Sequence, residues 1–258
     1  MRNWVIILSL LCASWQTEAT QIHYLRTNTD TLLPAGSLEI TVKSALLNSA
    51  MGFDYQGQSN LLINGPALNF LLGLGQRADF ELNWDTLRFT QTESGAFSRD
   101  ISDVSFFTRI LFKKETHFPS FSVRVGAKLP NASNETRAGT DLTDTFVWAI
   151  LGKQIGNFHI FTNTGLEILD KLGGGQHDAF GYGFASSYAW TQKLNWVSEI
   201  SGRYEKSNSP INEATFRSGI SWLFTSNWKL DLGISMGMIS QSETIGIRTG
   251  ISKAFHVF

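Results

Sequence analysis

The sequence predicts an all-β fold, a transmembrane up-and-down antiparallel β-barrel of about 12 strands. Three observations predict it. Alternating segments recur about every 20 residues, and most are 10–13 residues long. A tilted membrane strand needs about 9–11 residues, whereas strands of soluble domains average nearer 5–6. Within each segment one parity is apolar and the other polar or small. The connectors mostly alternate between short and long, the short one near Gln241 being the exception, as they do in barrels with short periplasmic turns and longer outside loops.

The alternation places strands at about 38–48, 66–74, 79–90, 103–113, 120–129, 143–153, 157–169, 179–190, 194–205, 213–224, 228–239 and 243–254. The first carries Glu39 and Lys43 on its polar parity. The third carries Glu81 and changes parity between Trp84 and Leu87, which predicts a bulge. The fourth places Asp103 and Arg109 on the polar side, together with the apolar Phe107 and Leu111. In the fifth, Phe121, Val123, Val125, Ala127 and Leu129 oppose Ser122, Arg124, Gly126 and Lys128. The sixth ends on Lys153, and the seventh carries His159, Phe161, Asn163 and Glu167 on one side. The eighth holds "FGYGFASSYAW", in which Phe180, Tyr182, Phe184, Tyr188 and Trp190 oppose Gly181, Gly183, Ala185, Ser187 and Ala189. In the ninth, Leu194, Trp196, Ile200 and Tyr204 oppose Asn195, Glu199, Arg203 and Glu205. Arg217, Asp231 and Arg248 lie on the polar parity of the last three.

Composition agrees with this reading. Charged residues make up 17% of the 258 residues, aromatics 12%, and the formal net charge is −1. The mean hydropathy of −0.06 argues against a bundle of membrane helices. Near-neutral charge suggests no nucleic-acid partner. The one long apolar run is "MRNWVIILSLLCASW" at the start. Arg2, a short apolar core from Trp4 to Ala13 and the small Ala19 form a signal-peptide pattern, so residues 1–19 are expected to be removed. Leu11 before Cys12 is too large for lipoprotein processing. Cleavage after Ala19 leaves no cysteine, which excludes disulfides and thiol catalysis. Residues 20–36 are then a periplasmic segment or a plug, and 37–258 the barrel. The 49–65 loop, with "FDYQ" and "LLI", is a second plug candidate.

The short connectors are "GQRA", "QIGN", "TQK", "TSN" and the somewhat longer "KETHFP". Aromatics cluster beside them on the apolar parity: Phe112, Phe121, Phe158, Tyr188, Trp190, Trp196, Trp222, Phe224 and Trp228. An interfacial girdle belongs there. The chain closes with "KAFHVF". A terminal aromatic such as Phe258 is a recognition signal for outer-membrane assembly, although His256 departs from the usual apolar pattern. The expected partners are outer-membrane lipid, the assembly machinery acting on the Phe258 strand, and a small-molecule solute. The expected localisation is the outer membrane of a Gram-negative bacterium. A soluble periplasmic sandwich is the structural alternative, with the aromatic faces inside.

"KLP" at 128–130, "GTDLTD" at 139–144, "GKQIGN" at 152–157 and "NTG" at 163–165 resemble the outer-membrane barrels grouped under the meta-pathway of phenol degradation, and related transporter-like barrels. "PAGSLEI" at 34–40 and "NWKLDLGI" at 227–234 fit the same style. Asn131-Ala132 stands where that family has Thr-Gly. The resemblance implies a non-enzymatic, porin-like transporter of hydrophobic or aromatic compounds.

The candidate lumen-lining charges are Asp103, Arg109, Arg124, Lys128, Lys153, Glu167, Glu199, Arg203, Arg217, Asp231 and Arg248, with Glu39, Lys43 and Glu81 beside them. Both signs are mixed, so an internal ion-pair network with some water is expected rather than a strongly selective pore. A barrel of this size is wider than side chains alone fill easily, yet narrower than porins of 16–18 strands. Hydrolysis of lipid or peptide at the cell surface is the alternative function, carried by His177 with Asp178, or by His159 with Asn163 and Glu167. The latter three are spaced i, i+4 and i+8, about 13 Å per step at 3.3 Å per residue, too far for direct hydrogen bonds. No nucleophile elbow, phosphate loop or metal-spaced histidine pair is present. No cofactor, metal or catalytic residue is expected.

Overall fold

In the computed structural model, residues 22, 25–51, 58–92, 95, 97–132, 141–170, 175–206 and 212–257 are described. The expected signal peptide, the "FDYQ" loop and Phe258 lie outside them. Fourteen strands form one antiparallel sheet: β1 (Ser37–Met51), β2 (Gln58–Gly73), β3 (Ala78–Trp84), β4 (Arg88–Thr92), β5 (Phe97–Asp100), β6 (Val104–Lys113), β7 (Ser120–Leu129), β8 (Asp144–Ile155), β9 (Phe158–Asp170), β10 (Gln176–Ala189), β11 (Leu194–Glu205), β12 (Glu213–Leu223), β13 (Trp228–Gly237) and β14 (Ile245–His256).

β3 and β4 are two parts of one wall strand, as are β5 and β6. β2 pairs β3 along 68–73 and β4 along 59–64. The expected plug loop at 49–65 is thereby corrected: its "LLI" at 61–63 is wall strand, hydrogen-bonded to β1 on one side and β4 on the other. β6 pairs β3, and β5 pairs β4. Residues 85–87 interrupt the first wall strand, where the sequence changes parity. Leu87 turns its carbonyl to the amide of Gly65 at 2.8 Å, and Asp85 accepts from the amide of Ser102 at 3.0 Å. β1 pairs with both β2 and β14, which closes the sheet into a 12-stranded barrel. Closure leaves no unpaired edge, the condition for crossing lipid with strands.

Strand parity decides what faces outward. Leu166, Phe180, Phe184, Ile234, Met236 and Ile247 are exposed on the outer wall. An apolar belt around a closed ring is the lipid-facing surface of a transmembrane barrel. A soluble sandwich would turn these residues into its core, and the ring turns them away from it. The girdle stands beside the short turns as ring pairs: Phe158 on Tyr188 at 4.7 Å, Trp222 on Phe224 at 5.6 Å and Phe112 on Phe121 at 5.9 Å between centroids. The interior is polar: Glu39, Thr41, Asn69, Glu167, Glu199 and Asp231 are all fully buried.

Candidate functional site in the barrel lumen

The inward parity of each strand supplies the lumen, and cross-strand register supplies its ion pairs. Glu199 on β11 lies directly opposite Arg217 on β12, and their side chains meet at 2.6 Å. Arg109 on β6 faces Asp79 on β3, and two of its nitrogens bond that carboxylate. Arg124 reaches Glu81 at 2.8 Å, and Arg203 reaches Glu167 at 2.9 Å. Lys128 sits 2.5 Å from Asp144 and 3.6 Å from Asp103. Asp231 lies 3.5 Å from Lys229, which is also 3.9 Å from Glu39. Arg248 bonds Glu243 at 2.8 Å. Lys153 is the outlier: it lies at the short-turn end, about a quarter exposed, and pairs with Glu115 at 3.0 Å. Buried charge is tolerated when partnered in this way, because an isolated ion would carry a desolvation cost of several kcal/mol or more.

The N-terminal segment runs inside the ring. Residues 27–30 and Leu33 are buried there. Glu199 accepts the amides of Arg26 and Thr27, both at 2.8 Å. The Asn163 side chain forms a two-way amide pair with the Asn28 backbone, at 2.8 and 2.9 Å. Asp79 accepts from the amide of Leu33 at 3.2 Å. Arg109 donates to the Thr29 carbonyl, and Ser120 donates to Asp30. His159 Nε2 lies 2.7 Å from Asp30. The Arg26 guanidinium bonds Glu213 at 2.5 Å and Glu167 at 3.1 Å. Ile22 and Leu25 pack on Val197, an apolar inward residue of β11.

Two titrations follow outside the spanning strands. Burial alone would raise the Asp30 carboxyl, but His159 and the Ser120 hydroxyl outweigh it and hold it below the usual carboxylate range. Glu243, between β13 and β14, is likewise desolvated, yet Arg248 and Arg217 bring it down to about 2.

Glycines on the inner wall make room for what crosses it. Gly181 has no space for a Cβ because the Trp148 indole lies over it. Gly183 is covered by Thr27, Gly152 by Asp30 and Gly126 by the Phe107 ring. On the small face of residues 180–190, Gly181 and Gly183 are therefore covered by groups arriving from elsewhere in the chain.

Above the segment lie three cavities. One of about 300 Å³ is walled by Arg26, Lys43, Asn64, Asp85, Arg217 and Arg248 among others. A second, of about 150 Å³, shares Asp85 with it and adds Asp103 and Lys128. A third, also of about 150 Å³, shares Phe107 and Phe146 with the second and Arg26 with the first. At the short-turn end the cavity beside Glu39 and Lys229 is only about 20 Å³, room for roughly one water.

The hydrolase constellations do not assemble. His177 bonds Glu205 at 2.7 Å, while Asp178 accepts from Gln176 at 3.0 Å. His159 bonds Asp30, Asn163 bonds Asn28, and Glu167 holds Arg26 and Arg203. Ser120 and His159 do meet on Asp30, but the carboxylate stands between hydroxyl and imidazole. A serine nucleophile needs the base against its oxygen. Among the described residues no His, Cys, Asp or Glu cluster could hold a metal. Asp79, Asp144, Glu205, Glu213, Lys229 and Glu243 are lumen or rim partners that the candidate set missed. Several sit at strand ends, where alternation is shortest and least informative.

No protein-family model matches the sequence, and no curated protein matches it. Solved structures do. The COG4313 outer membrane channel from Pseudomonas putida F1 superposes with a TM-score of 0.67 at 12% identity, covering 86% of this chain and 97% of that one. The NanC porin gives 0.58 at 9% identity, covering 84% and 98%. The KdgM porin gives 0.55 at 11% identity, covering 84% and 99%. At these identities the likeness is one of fold: the chain has the fold of bacterial outer-membrane channel barrels.

Proposed function

We propose that the protein is a non-enzymatic outer-membrane channel of narrow bore, with its own N-terminal segment seated in the short-turn half of the lumen as a plug. The observation that carries this reading is the division of the lumen, filled by residues 26–33 at one end and open as three adjoining cavities at the other. The shared fold with channels and porins supports it. So does the partnering of the lumen charges, which leaves a polar, hydrated wall rather than a set of reacting groups. The solutes are small, and the resemblance to barrels of the phenol-degradation group favours hydrophobic or aromatic ones. In this reading the short turns and both chain ends face the periplasm, the belt contacts outer-membrane lipid, and the Phe258 strand is read by the assembly machinery.

The test is reconstitution into planar bilayers and solute-loaded liposomes. Discrete conductance steps and swelling in small solutes are expected. Correctly folded barrel, identified by faster gel migration before boiling, that passes neither ions nor solutes removes the proposal.

A further inference from the structure

The third cavity differs in chemistry from its neighbours. Three guanidiniums, Arg26, Arg124 and Arg203, and three aromatic rings, Phe107, Phe146 and Trp148, face it, with Glu167 as the one carboxylate in its lining. The rings are fixed. Phe107 and Phe146 sit with centroids 5.7 Å apart, and Trp148 is buried over Gly181. The Arg124 guanidinium stacks on Phe107, 3.3 Å from its centroid. Only one of its five N–H donors is engaged by a carboxylate, Glu81. A guanidinium lying over a ring keeps its other N–H donors at its edge, and edge donors are the ones that receive a carboxylate. Volume narrows the class. About 150 Å³ is the size of an apolar cavity that accepts benzene.

We infer that this cavity is a binding site for a single-ring aromatic carboxylate, its ring among Phe107, Phe146 and Trp148 and its carboxylate on Arg124. The inference rests on the channel reading, because a solute reaches this cavity only through the lumen. A neutral ring compound would leave the cationic edge unused. A protonated aromatic amine would bring no acceptor to the Arg124 donors. An aliphatic carboxylate would lack the ring contacts.

Isothermal titration of the detergent-solubilised full barrel tests it, with benzoate as the probe and phenol, benzylamine and acetate as controls. Benzoate is expected to bind at least tenfold more tightly than each control. Arg124→Gln should weaken benzoate at least tenfold and leave phenol unchanged. Phe146→Leu, which removes a ring but no charge, should weaken benzoate several-fold and leave acetate unchanged. Both variants are first checked for the fast-migrating unboiled form, and Phe146→Leu decides alone if Arg124→Gln does not fold. Benzoate binding no tighter than acetate or phenol overturns the inference, as does undiminished binding in the folded variants. Titration in detergent requires no conduction. Protein that binds benzoate but passes no current therefore keeps this site and loses the channel reading, and protein that conducts without binding benzoate does the reverse.

Discussion

In the short-turn half of the lumen, inward side chains of β3, β6, β7, β9 and β11 bond to residues 27–33 of the same chain. In the loop half, walls just as charged enclose cavities of about 300, 150 and 150 Å³. Both halves arise from one strand pattern, so the pattern does not make the difference. A strand wall of this circumference leaves a central space, and a second stretch of backbone fills it only where the wall offers matching acceptors and missing side chains. Glu199, Asn163 and Asp79 supply the acceptors, and Gly152 and Gly183 the gaps. Where Trp148 and Phe107 occupy the gaps instead, over Gly181 and Gly126, the space above them stays open.

The largest expected effect comes from erasing the difference. A chain lacking residues 20–33 should show a several-fold rise in single-channel conductance, measured in planar bilayers. An unchanged conductance would mean that the segment does not restrict the path.

Stability should separate the halves next. Arg109→Ala strips the partner from buried Asp79 and a donor from the Thr29 carbonyl. A broken buried pair of this kind costs ~3–5 kcal/mol, to be read from denaturant unfolding of the gel-mobility form. In the loop half, Lys43 bonds the neutral Asn83 amide at 3.0 Å. Lys43→Ala should cost ~0.5–1.5 kcal/mol, as for an ordinary hydrogen bond. Equal losses at the two positions would deny that the filled half carries more of the stability.

Acid gives the smallest and most local effect. The Asp30 carboxyl is held below its ordinary range, so its contribution to docking the segment is complete above that range. The contribution is lost as pH falls through the depressed value. Conductance should therefore rise on acidification, and Asp30→Asn should abolish that step. Glu243→Gln should leave it in place, although Glu243 loses its own contribution between about 4.5 and about 2. An acid step that survives in Asp30→Asn would assign it to another group.

Much of this barrel was legible without coordinates. Most strand ranges, the outward faces and the grouping of short turns follow from a period of two and from turn composition, both local in sequence; residues 58–65, expected in a loop, are instead the first half of β2. The parity change at residues 84–87 marked the place where β3 gives way to β4. Phe107 and Phe161, which break the alternation on the polar parity, are both buried in the lumen. The inner wall was less legible. Glu199 and Arg217 lie opposite in register, but register depends on turn geometry and pairing rather than on either strand alone. The sequence by itself determined a closed ring with an apolar exterior and a charged, small-residue interior. Tertiary structure alone decided what meets across that interior: Thr27 on Gly183, Asp30 on Gly152 and Trp148 on Gly181. The physical reason is that side chains reaching across a lumen obey no sequence period, so a run of glycines and alanines reads the same whether it borders empty space or accommodates another part of the chain.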